Sequence, residues 1–313
     1  MYKPFFGLRA NPFSVSPDPR YLIHTPHTEE ALACFIYGIQ SRKGFVLLTG
    51  EVGTGKTTLT NKLMEWLKLQ RVSTAFVFNS QMNVAEFLDY VMADFGIPCG
   101  SQTKSQILLH LYNWLLERYR AGETAVLIVD EAQNLSDELL EEIRLMTNLE
   151  TASEKLLQIL LVGQPELEQK LKQPHLRQLR QRITLHAKTQ ALSLEQTNSY
   201  ITQRMSLGGC SRAGVFPPLA AARIQEYSNG IPRVINLICE HCLVNAFADG
   251  LYEVSAEMVD KVAQDLDLIS FGVNSGLAQE KTREEQPELA DLMRMLGEQL
   301  RYAESAISQG RKA

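Results

Sequence analysis

Residues 45–57 decide the fold of this chain, because they join an apolar strand to a glycine-rich loop and a helix. The stretch reads Phe45-Val46-Leu47-Leu48-Thr49-Gly50-Glu51-Val52-Gly53-Thr54-Gly55-Lys56-Thr57. From Gly50 to Thr57 it completes the G-x-x-x-x-G-K-[ST] pattern of a phosphate loop. The glycines let successive backbone N–H groups converge on phosphate, and the helix that begins near Gly55 adds a positive dipole. The stretch therefore predicts a binding site for a nucleoside triphosphate.

The last residues of the phosphate loop have separate predicted tasks. Lys56 would reach the β- and γ-phosphates, and the hydroxyl of Thr57 would take one position around Mg²⁺. A nucleoside triphosphate and Mg²⁺ are therefore the expected cofactors. The predicted nucleotide-binding residues of this segment are Gly50, Glu51, Val52, Gly53, Thr54, Gly55, Lys56, Thr57 and Thr58.

The composition is that of an ordinary globular protein with room for two domains. The chain has 313 residues, 45% hydrophobic and 21% charged, and domains usually contain roughly 100 to 200 residues. No apolar run approaches the roughly 20 residues that span a bilayer, and the polar, proline-containing start differs from a signal peptide. We therefore expect a cytoplasmic protein with no transmembrane segment, for which any position at the inner membrane would depend on partners.

The cysteines and the net charge narrow the environment and the partners. Five cysteines lie scattered through apolar elements, as expected in a reducing compartment. Cys239 and Cys242 flank His241 and resemble zinc ligands, but their helical apolar setting favours buried structural thiols. The net charge of −5 argues against a general nucleic-acid coat, since phosphate neutralisation supplies most non-specific affinity. The net charge does not exclude a local basic patch. The five thiols are Cys34, Cys99, Cys210, Cys239 and Cys242.

Alternating strands and helices predict a doubly wound α/β domain with a parallel sheet over residues 27–191. Residues 1–26, rich in proline and aromatic residues, form an ordered strap ahead of it. The phosphate-loop strand is followed by predicted strands at 73–79, 125–130, 157–162 and 183–186. Predicted helices lie at 28–40, 56–70, 83–95, 104–120 and 136–149, with a basic helical stretch at 167–181.

The chain changes character after the sheet, where only helical patterns follow. Predicted helices at 194–207, 218–228, 233–249 and 255–268 make an all-helical domain over 192–271. Residues 272–286 are polar and contain several glycines, so they are a predicted linker. Residues 287–309 carry an apolar stripe at spacings of three and four, typical of an amphipathic helix. This helix either docks on the body of the protein or binds a partner or a second copy.

Two acids follow the buried strand that ends at Val129. Asp130 would accept from the water shell of Mg²⁺, and Glu131 would take a proton from an attacking water. A hydrophobic-Asp-Glu sequence by itself is common at strand ends. After a phosphate loop in an α/β series, it predicts the catalytic acid pair. Thr57 and Asp130 are thus the predicted metal ligands.

Other polar residues extend this site. Gln164 follows the next buried strand and would bind the γ-phosphate or orient the water, unless it merely ends the strand. Arg177, Arg180 and Arg182 precede the last strand and are either a solvated basic face or donors to a neighbouring subunit's γ-phosphate. Arg182 is the first choice for that role and Arg180 the second. The predicted catalytic residues are Lys56, Glu131, Gln164, Arg182 and Arg180.

Arg233 belongs to the helical domain and follows Gly230-Ile231-Pro232. Proline in the first helical turn fixes the start of the helix and so aims the arginine. The prediction is that Arg233 contacts the phosphates bound by its own chain. The alternative is an exposed arginine after a turn.

Taken together, these motifs identify the chain as similar to AAA+ ATPases, and more narrowly to the ExeA-type ATPases of bacterial secretion and pilus systems. That group is similar to ATPases of exosortase and exopolysaccharide loci. The resemblance covers residues 1 to about 268. Beyond the phosphate loop it rests on Phe5 to Leu8, Asn11 to Phe13, Ser16 to Tyr21, Asp130 to Gln133, Gly163 to Leu167, Gln181 to Ile183 and Gly230 to Asn236.

The resemblance implies an oligomeric ATPase with nucleotide bound between the α/β domain and the helical lid. Lys56, Thr57, Asp130 and Glu131 would take the Walker roles, Gln164 would be sensor 1 and Arg233 sensor 2. The strap would lie near the adenine. An arginine would act in trans, and the work of hydrolysis would remodel or assemble an envelope secretion or polysaccharide-export apparatus through protein partners.

Two other functions remain open from the sequence. The same module resembles transposition regulators of the TnsC and TniB type, which assemble on DNA, so an ATP switch assembled on DNA is the main alternative. In the third interpretation, nucleotide only stabilises a scaffold.

Overall fold

The computed structural model describes residues 1–78, 82–98 and 103–268. The strands are β1 (Phe45–Thr49), β2 (Val72–Val77), β3 (Thr124–Val129), β4 (Leu157–Gly163) and β5 (Leu185–Lys188). They form one parallel sheet in the order β2-β3-β4-β1-β5. The predicted parallel α/β architecture, with helices around the sheet and a helical region after it, is therefore confirmed.

Helices of at least one turn cover most of the remaining described chain. In chain order they are α1 (Tyr2–Phe5), α2 (Pro26–Gln40), α3 (Lys56–Leu67), α4 (Val84–Asp94), α5 (Lys104–Arg120), α6 (Asp137–Met146), α7 (Pro165–Leu171), α8 (Arg177–Arg180), α9 (Leu194–Leu207), α10 (Pro218–Ser228), α11 (Pro232–Ala248) and α12 (Ala256–Asp265). Short 3-10 turns lie at Pro19–Tyr21, Ala132–Asn134 and Pro174–Leu176. No helix of the described ranges is long and apolar enough to cross a bilayer.

Contacts divide the chain into two compact units. The first, called the sheet unit, contains residues 26–51 and the described part of 59–189, and hence all five strands. The second, called the helical unit, contains residues 1–25, 52–58 and 190–268. The phosphate-loop segment Val52–Thr58 groups with the helical unit. The domain limits proposed from sequence stay predictions, and the linker at 272–286 and the helix at 287–309 lie outside the described residues.

The sheet unit is built on strands whose two faces are both apolar. Every residue of β1 and β4 is buried, because helices cover both faces, as in most parallel sheets. On one face, residues of α4 to α8 join alternate strand positions in one hydrophobic cluster. On the other, Gly38 of α2 lies so close to Val46 that a Cβ at Gly38 would be 2.7 Å from its Cγ2.

The helical unit packs α9 to α12 around a second hydrophobic cluster, which also contains the aromatic residues of the strap. Phe6 and Phe13 are buried in it. The hydroxyl of Tyr2 and the amide of Asn11 both donate to the Glu240 carboxylate of α11, at 2.8 and 3.0 Å. The strap therefore packs on the helices of this unit, and its first residues form the short helix α1.

Several sequence predictions need correction. The predicted helices 56–70, 136–149 and 255–268 end three residues earlier, at Leu67, Met146 and Asp265. The basic stretch 167–181 is not one helix, because it divides into α7, a 3-10 turn and α8. Pro174 has no N–H to donate, and Gln173 before it is extended, with ψ of 144°. The last strand covers Leu185–Lys188, so it begins and ends two residues later than predicted, and the Thr184 N–H donates to the Phe45 carbonyl at 3.0 Å just before it.

Candidate functional site

Three adjacent strands bring the candidate residues to one edge of the sheet. Because β3, β4 and β1 are neighbours and parallel, their carboxyl ends lie at the same edge. Gly50 follows β1, Asp130 follows β3, and Gln164 follows β4. Ligands of open parallel sheets bind at this edge, so the topology supports the position predicted for the site.

The phosphate loop has the backbone that the motif predicts. Gly53 and Gly55 have positive φ values of 81° and 100°, which residues with a Cβ rarely adopt. Helix α3 begins at Lys56, directly after the second of these glycines. Its first N–H groups have no partners within the helix and carry a positive dipole, which is a favourable arrangement for phosphate.

Side chains of the loop divide into buried and exposed sets. Thr54 and Lys56 are 7% and 6% exposed, whereas Glu51, Val52 and Thr57 are exposed. A buried ammonium is costly unless it is paired, and Lys56 has electrostatic or hydrogen-bond partners in the structure. The loop therefore holds its lysine inside while leaving the first helical hydroxyl to solvent.

Two glycines of the loop, Gly50 and Gly53, permit close approaches that a side chain would prevent. A Cβ at Gly50 would lie 1.9 Å from Oγ1 of Thr189, which follows β5. Within the helical unit, a Cβ at Gly53 would lie 2.8 Å from Cβ of Arg233, and the Arg233 N–H donates to the Gly53 carbonyl at 3.2 Å. The structure thus brings together Arg233 and the phosphate loop, through their backbones.

Asp130 and Glu131 lie in a turn directly after β3, and the backbone of this turn is unusual. Asp130 is 7% exposed, and its N–H donates to the Val77 carbonyl at 2.8 Å. Glu131 has left-handed φ and ψ of 51° and 37°, which non-glycine residues rarely adopt. Its N–H donates to Oδ1 of Asp130 at 2.9 Å. Strained backbone of this kind is concentrated at functional sites.

The Glu131 carboxylate is held by two amide side chains. Gln133 Nε2 donates to Oε2 at 2.5 Å, and Gln164 Nε2 donates to the same oxygen at 3.3 Å. The structure therefore brings the predicted residues Glu131 and Gln164 together. It adds Gln133, which the sequence marks only as the last residue of the Asp130-Glu131-Ala132-Gln133 segment.

A second polar network lies at the carboxyl end of β1. Thr49 Oγ1 donates to Oε1 of Glu168 at 2.5 Å and lies 2.9 Å from His186 Nε2, while Lys188 Nζ donates to Oε2 of Glu168 at 3.2 Å. Burial opposes ionisation of Glu168, but the Thr49 hydrogen bond and the charges of His186 and Lys188 outweigh it and lower the pKa of this carboxyl. The network ties α7 and β5 to the strand that enters the phosphate loop.

The three predicted arginines lie on the amino-terminal side of β5. Since the strands are parallel, this is the opposite edge of the sheet from Glu131 and Gln164. Arg177 and Arg180 are exposed at the two ends of α8, and Arg182 is half-buried. The Lys155 hydrogen bond and charge lower the pKa of Glu150, and the charge of Arg182 contributes. Because the arginines lie at the opposite edge of the sheet, a single chain does not bring them to its own Asp130 and Glu131.

Cys239 and Cys242 are fully buried on α11. Burial raises the pKa of both thiols, that of Cys242 to about 12. They are therefore protonated at neutral pH, in keeping with the predicted structural role.

Comparison with known proteins identifies the family of this fold. Residues 39–171 match the AAA domain family. The chain is 42% identical over 283 residues to the general secretion pathway protein A of Aeromonas hydrophila, covering 90% of this chain. The chain belongs to the AAA+ ATPases. The predicted resemblance to ExeA-type members is confirmed, and this AAA+ chain spans 50% of the length of that curated relative.

Solved structures show the same AAA+ fold at low sequence identity. Cdc6p of Pyrobaculum aerophilum is 18% identical with a TM-score of 0.64, over 81% of this chain and 70% of that one. The RuvB branch migration motor of Thermotoga maritima is 15% identical with a TM-score of 0.57, over 83% and 76%. These likenesses establish the architecture of the AAA+ chain.

Proposed function

We propose that this AAA+ ATPase hydrolyses ATP with Mg²⁺ through the Walker residues named above, and that hydrolysis drives conformational work on a bacterial envelope secretion or polysaccharide-export apparatus. The observation that carries the catalytic part is the Glu131 carboxylate, held by two amides at the carboxyl edge of the sheet. Similarity to the general secretion pathway protein A supports the secretion part.

The proposed division of labour follows from the chemistry of each side chain. Loop N–H groups and Lys56 bind the phosphates, and Glu131 takes a proton from the attacking water. Gln164, which touches Glu131, orients that water or the γ-phosphate. Thr57 and Asp130 carry hydroxyl and carboxylate oxygens, the ligand type that Mg²⁺ prefers, and Mg²⁺ needs only one or two carboxylates beside substrate phosphates. It would neutralise charge on those phosphates.

Two substitutions test the catalytic assignment. Glu131→Gln preserves size and should leave ATP binding intact while lowering kcat by about 10² to 10⁴, the usual contribution of a general base. Lys56→Ala should abolish ATP binding. Glu138→Gln, on the exposed face of α6, is the matched control and should behave as wild type. A Glu131→Gln protein that hydrolyses ATP as fast as wild type would show that another group is the base.

We also propose that the active form is an oligomer in the cytoplasm, where ATP is supplied. The exposed Arg180 and the half-buried Arg182 lie at the opposite sheet edge from Glu131, so they would serve the site of a neighbouring copy. Mass measurement of the full chain with and without ATP tests this. A monomer in both conditions, at concentrations that support hydrolysis, would contradict it.

Exposed basic residues on α8 favour one alternative, an ATP switch assembled on DNA. Arg177 and Arg180 both reach solvent there. Duplex DNA binding that requires a non-hydrolysable ATP analogue and weakens steeply with salt would support it. Absence of binding at low salt would remove it.

A further inference from the structure

The side chain of Gln133 joins two neighbouring strand ends at the carboxyl edge of the sheet. Its Nε2 donates to Oε2 of Glu131 at 2.5 Å, and its Oε1 accepts from the backbone N–H of Gln164 at 3.1 Å. One amide thus uses its donor on the acid that follows β3 and its acceptor on the residue that follows β4. Because both ends are engaged, rotation of the amide by 180° would lose both bonds.

The sequence makes room for this amide at Gly163, the last residue of β4. A Cβ there would lie 3.0 Å from Oε1 of Gln133 and 2.7 Å from Cδ2 of Leu167. The backbone of Gly163 does not have a positive φ, so its conformation does not require glycine. The close approach of the Gln133 amide and of Leu167 supplies the reason for a residue without a side chain.

The backbone around Glu131 depends on the same contacts. Glu131 has left-handed dihedral angles, and Gln133 lies in the 3-10 turn that begins directly after it. A rare backbone conformation persists only where surrounding groups determine it. Asp130 Oδ1 fixes the N–H of Glu131, at 2.9 Å, and Gln133 fixes its carboxylate.

Both amides bind the same carboxylate oxygen. Gln133 and Gln164 donate to Oε2, and among the described residues no hydrogen bond reaches Oε1 of Glu131. A carboxylate with one oxygen held by two donors has little freedom to rotate, which leaves the second oxygen for a proton transfer.

We propose that Gln133 is a positioning residue for hydrolysis, which holds Oε2 of Glu131 so that Oε1 receives the proton of the attacking water. The proposal rests on the proposed role of Glu131 as the general base. It also predicts coupling between the strand ends, because a shift of Gln164 moves the Gln133 amide through the 3.1 Å bond.

The test compares full-length wild type with Gln133→Leu, which keeps the side-chain size and removes both hydrogen bonds. We expect kcat to fall about 10- to 100-fold, since a displacement of about 1 Å at a reacting group has effects of this order. KM and the Kd of a non-hydrolysable ATP analogue should stay within about twofold, because only the chemical step is affected. Gln169→Leu, an exposed position on α7, is the control and should match wild type.

Gln133→Glu provides a readout that a structural role would not move. The introduced carboxylate would lie beside Glu131, and like charges at that distance raise the pKa of the pair. We expect the acid limb of the kcat profile to shift upward by about one pH unit or more relative to wild type. An unshifted acid limb would mean that position 133 does not contact the base during turnover.

The outcomes separate this proposal from the proposed function. If wild-type hydrolysis does not depend on Glu131, the proposed function is wrong and the positioning role falls with it. If it does, and Gln133→Leu has the kcat of wild type, only the positioning role is wrong. An equal loss of analogue affinity and kcat would also overturn it. If Gln133→Leu does not fold, Gln133→Asn decides, because its shorter amide should still lower kcat; wild-type kcat in that variant contradicts the proposal.

Discussion

Different kinds of contact stabilise the sheet unit and the helical unit, each within itself. In the sheet unit, β1 and β4 are buried along their whole length, and alternate residues of both strands join helices in one apolar cluster. In the helical unit, an apolar cluster is supplemented by directional contacts that attach the strap. Glu240 accepts from Tyr2, and the Arg204 guanidinium lies 4.6 Å from the ring centre of Tyr21 and 5.1 Å from that of Tyr200.

This difference has a physical basis. Apolar burial is non-directional and scales with the area removed from water, so strands buried on both faces need little else. A strap with little regular structure makes few backbone hydrogen bonds within itself. Its attachment therefore depends on hydrogen bonds to and from side chains. We therefore expect the stability of the sheet unit to depend mainly on the volume of its buried side chains. The stability of the helical unit should depend in addition on single polar contacts and on close backbone approaches.

The largest expected effect is loss of volume in the centre of the sheet. Leu161 of β4 is 0% exposed, and Leu161→Ala should lower the free energy of unfolding by about 3 to 5 kcal/mol, from lost transfer energy and the cavity left behind. Leu109→Ala, at a position 56% exposed, should change it by less than about 0.5 kcal/mol. Urea denaturation measures both, and a loss below about 1 kcal/mol for Leu161→Ala would remove the contrast.

The second effect tests close backbone approach in the helical unit. Gly230 has φ of +73°, and a Cβ there would lie 2.0 Å from the Leu192 carbonyl oxygen. Gly230→Ala should cost about 2 to 4 kcal/mol, from the strained dihedral angle and the forced displacement. Gly250 has a similar φ of +69° with open space around it, so Gly250→Ala should cost only about 1 to 2 kcal/mol. Equal costs in thermal unfolding would show that the approach to Leu192 adds nothing.

A third effect isolates the polar attachment of the strap. Glu240→Gln should cost about 1 to 3 kcal/mol, because the acceptor of the Tyr2 and Asn11 hydrogen bonds loses its charge and one of its two accepting oxygens. Tyr2→Phe should cost a similar amount. The double variant should cost less than the sum of the two, because both substitutions weaken the same interaction between Tyr2 and Glu240. Additive costs in this double-mutant cycle would mean that Tyr2 and Glu240 do not act together.

The same contact predicts a loss of stability at alkaline pH. Burial, the Glu240 hydrogen bond and the Glu240 charge raise the pKa of Tyr2. The folded protein then keeps a proton that the unfolded chain loses above pH about 10, so stability falls as the pH rises past that value. Tyr2→Phe should show a shallower decline in unfolding free energy than wild type. Parallel declines would contradict this origin.

The smallest expected effect is ionic and belongs to the sheet unit. The pKa of Glu168 is lowered because its partners outweigh its burial, so its contribution is complete above the unfolded value of about 4.3. That contribution is lost as the pH falls through the lowered folded pKa. Glu168→Gln should cost about 1 kcal/mol at pH 7 and flatten the acid decline. Glu166→Gln, exposed on the same helix, should retain the wild-type profile.

Elements with strong local signals were predictable to the residue. Helices α5, α9 and α10 have the predicted bounds, because their apolar spacing agrees with local start signals such as the Ser193–Gln196 capping box of α9. The segment 167–181 was not, because its periodic pattern continues through Pro174, which ends the helix. Periodicity depends only on which residues are apolar. It does not register that proline lacks the N–H group a continuous helix needs.

The candidate site was predictable in part for a similar reason. The positions of Gly50, Asp130 and Gln164 after strands follow from the chain itself, and parallel pairing brings them to one edge. The amide of Gln133 was not predictable, since its bonds depend on β3 lying beside β4 and on the left-handed turn at Glu131. Neither feature has a local sequence signal, because glutamate is not a residue that favours that turn.

By itself, the sequence determined that this chain contains a phosphate loop, a buried parallel sheet and a helical region after it. Those properties are local or periodic, since they depend on glycine spacing and on which faces are apolar. Only the tertiary structure decided which polar groups share a hydrogen bond: Gln133 with Glu131, Thr49 with Glu168, Tyr2 with Glu240. Such bonds act over about 3 Å, so they depend on the relative positions of strands and helices that long-range packing sets.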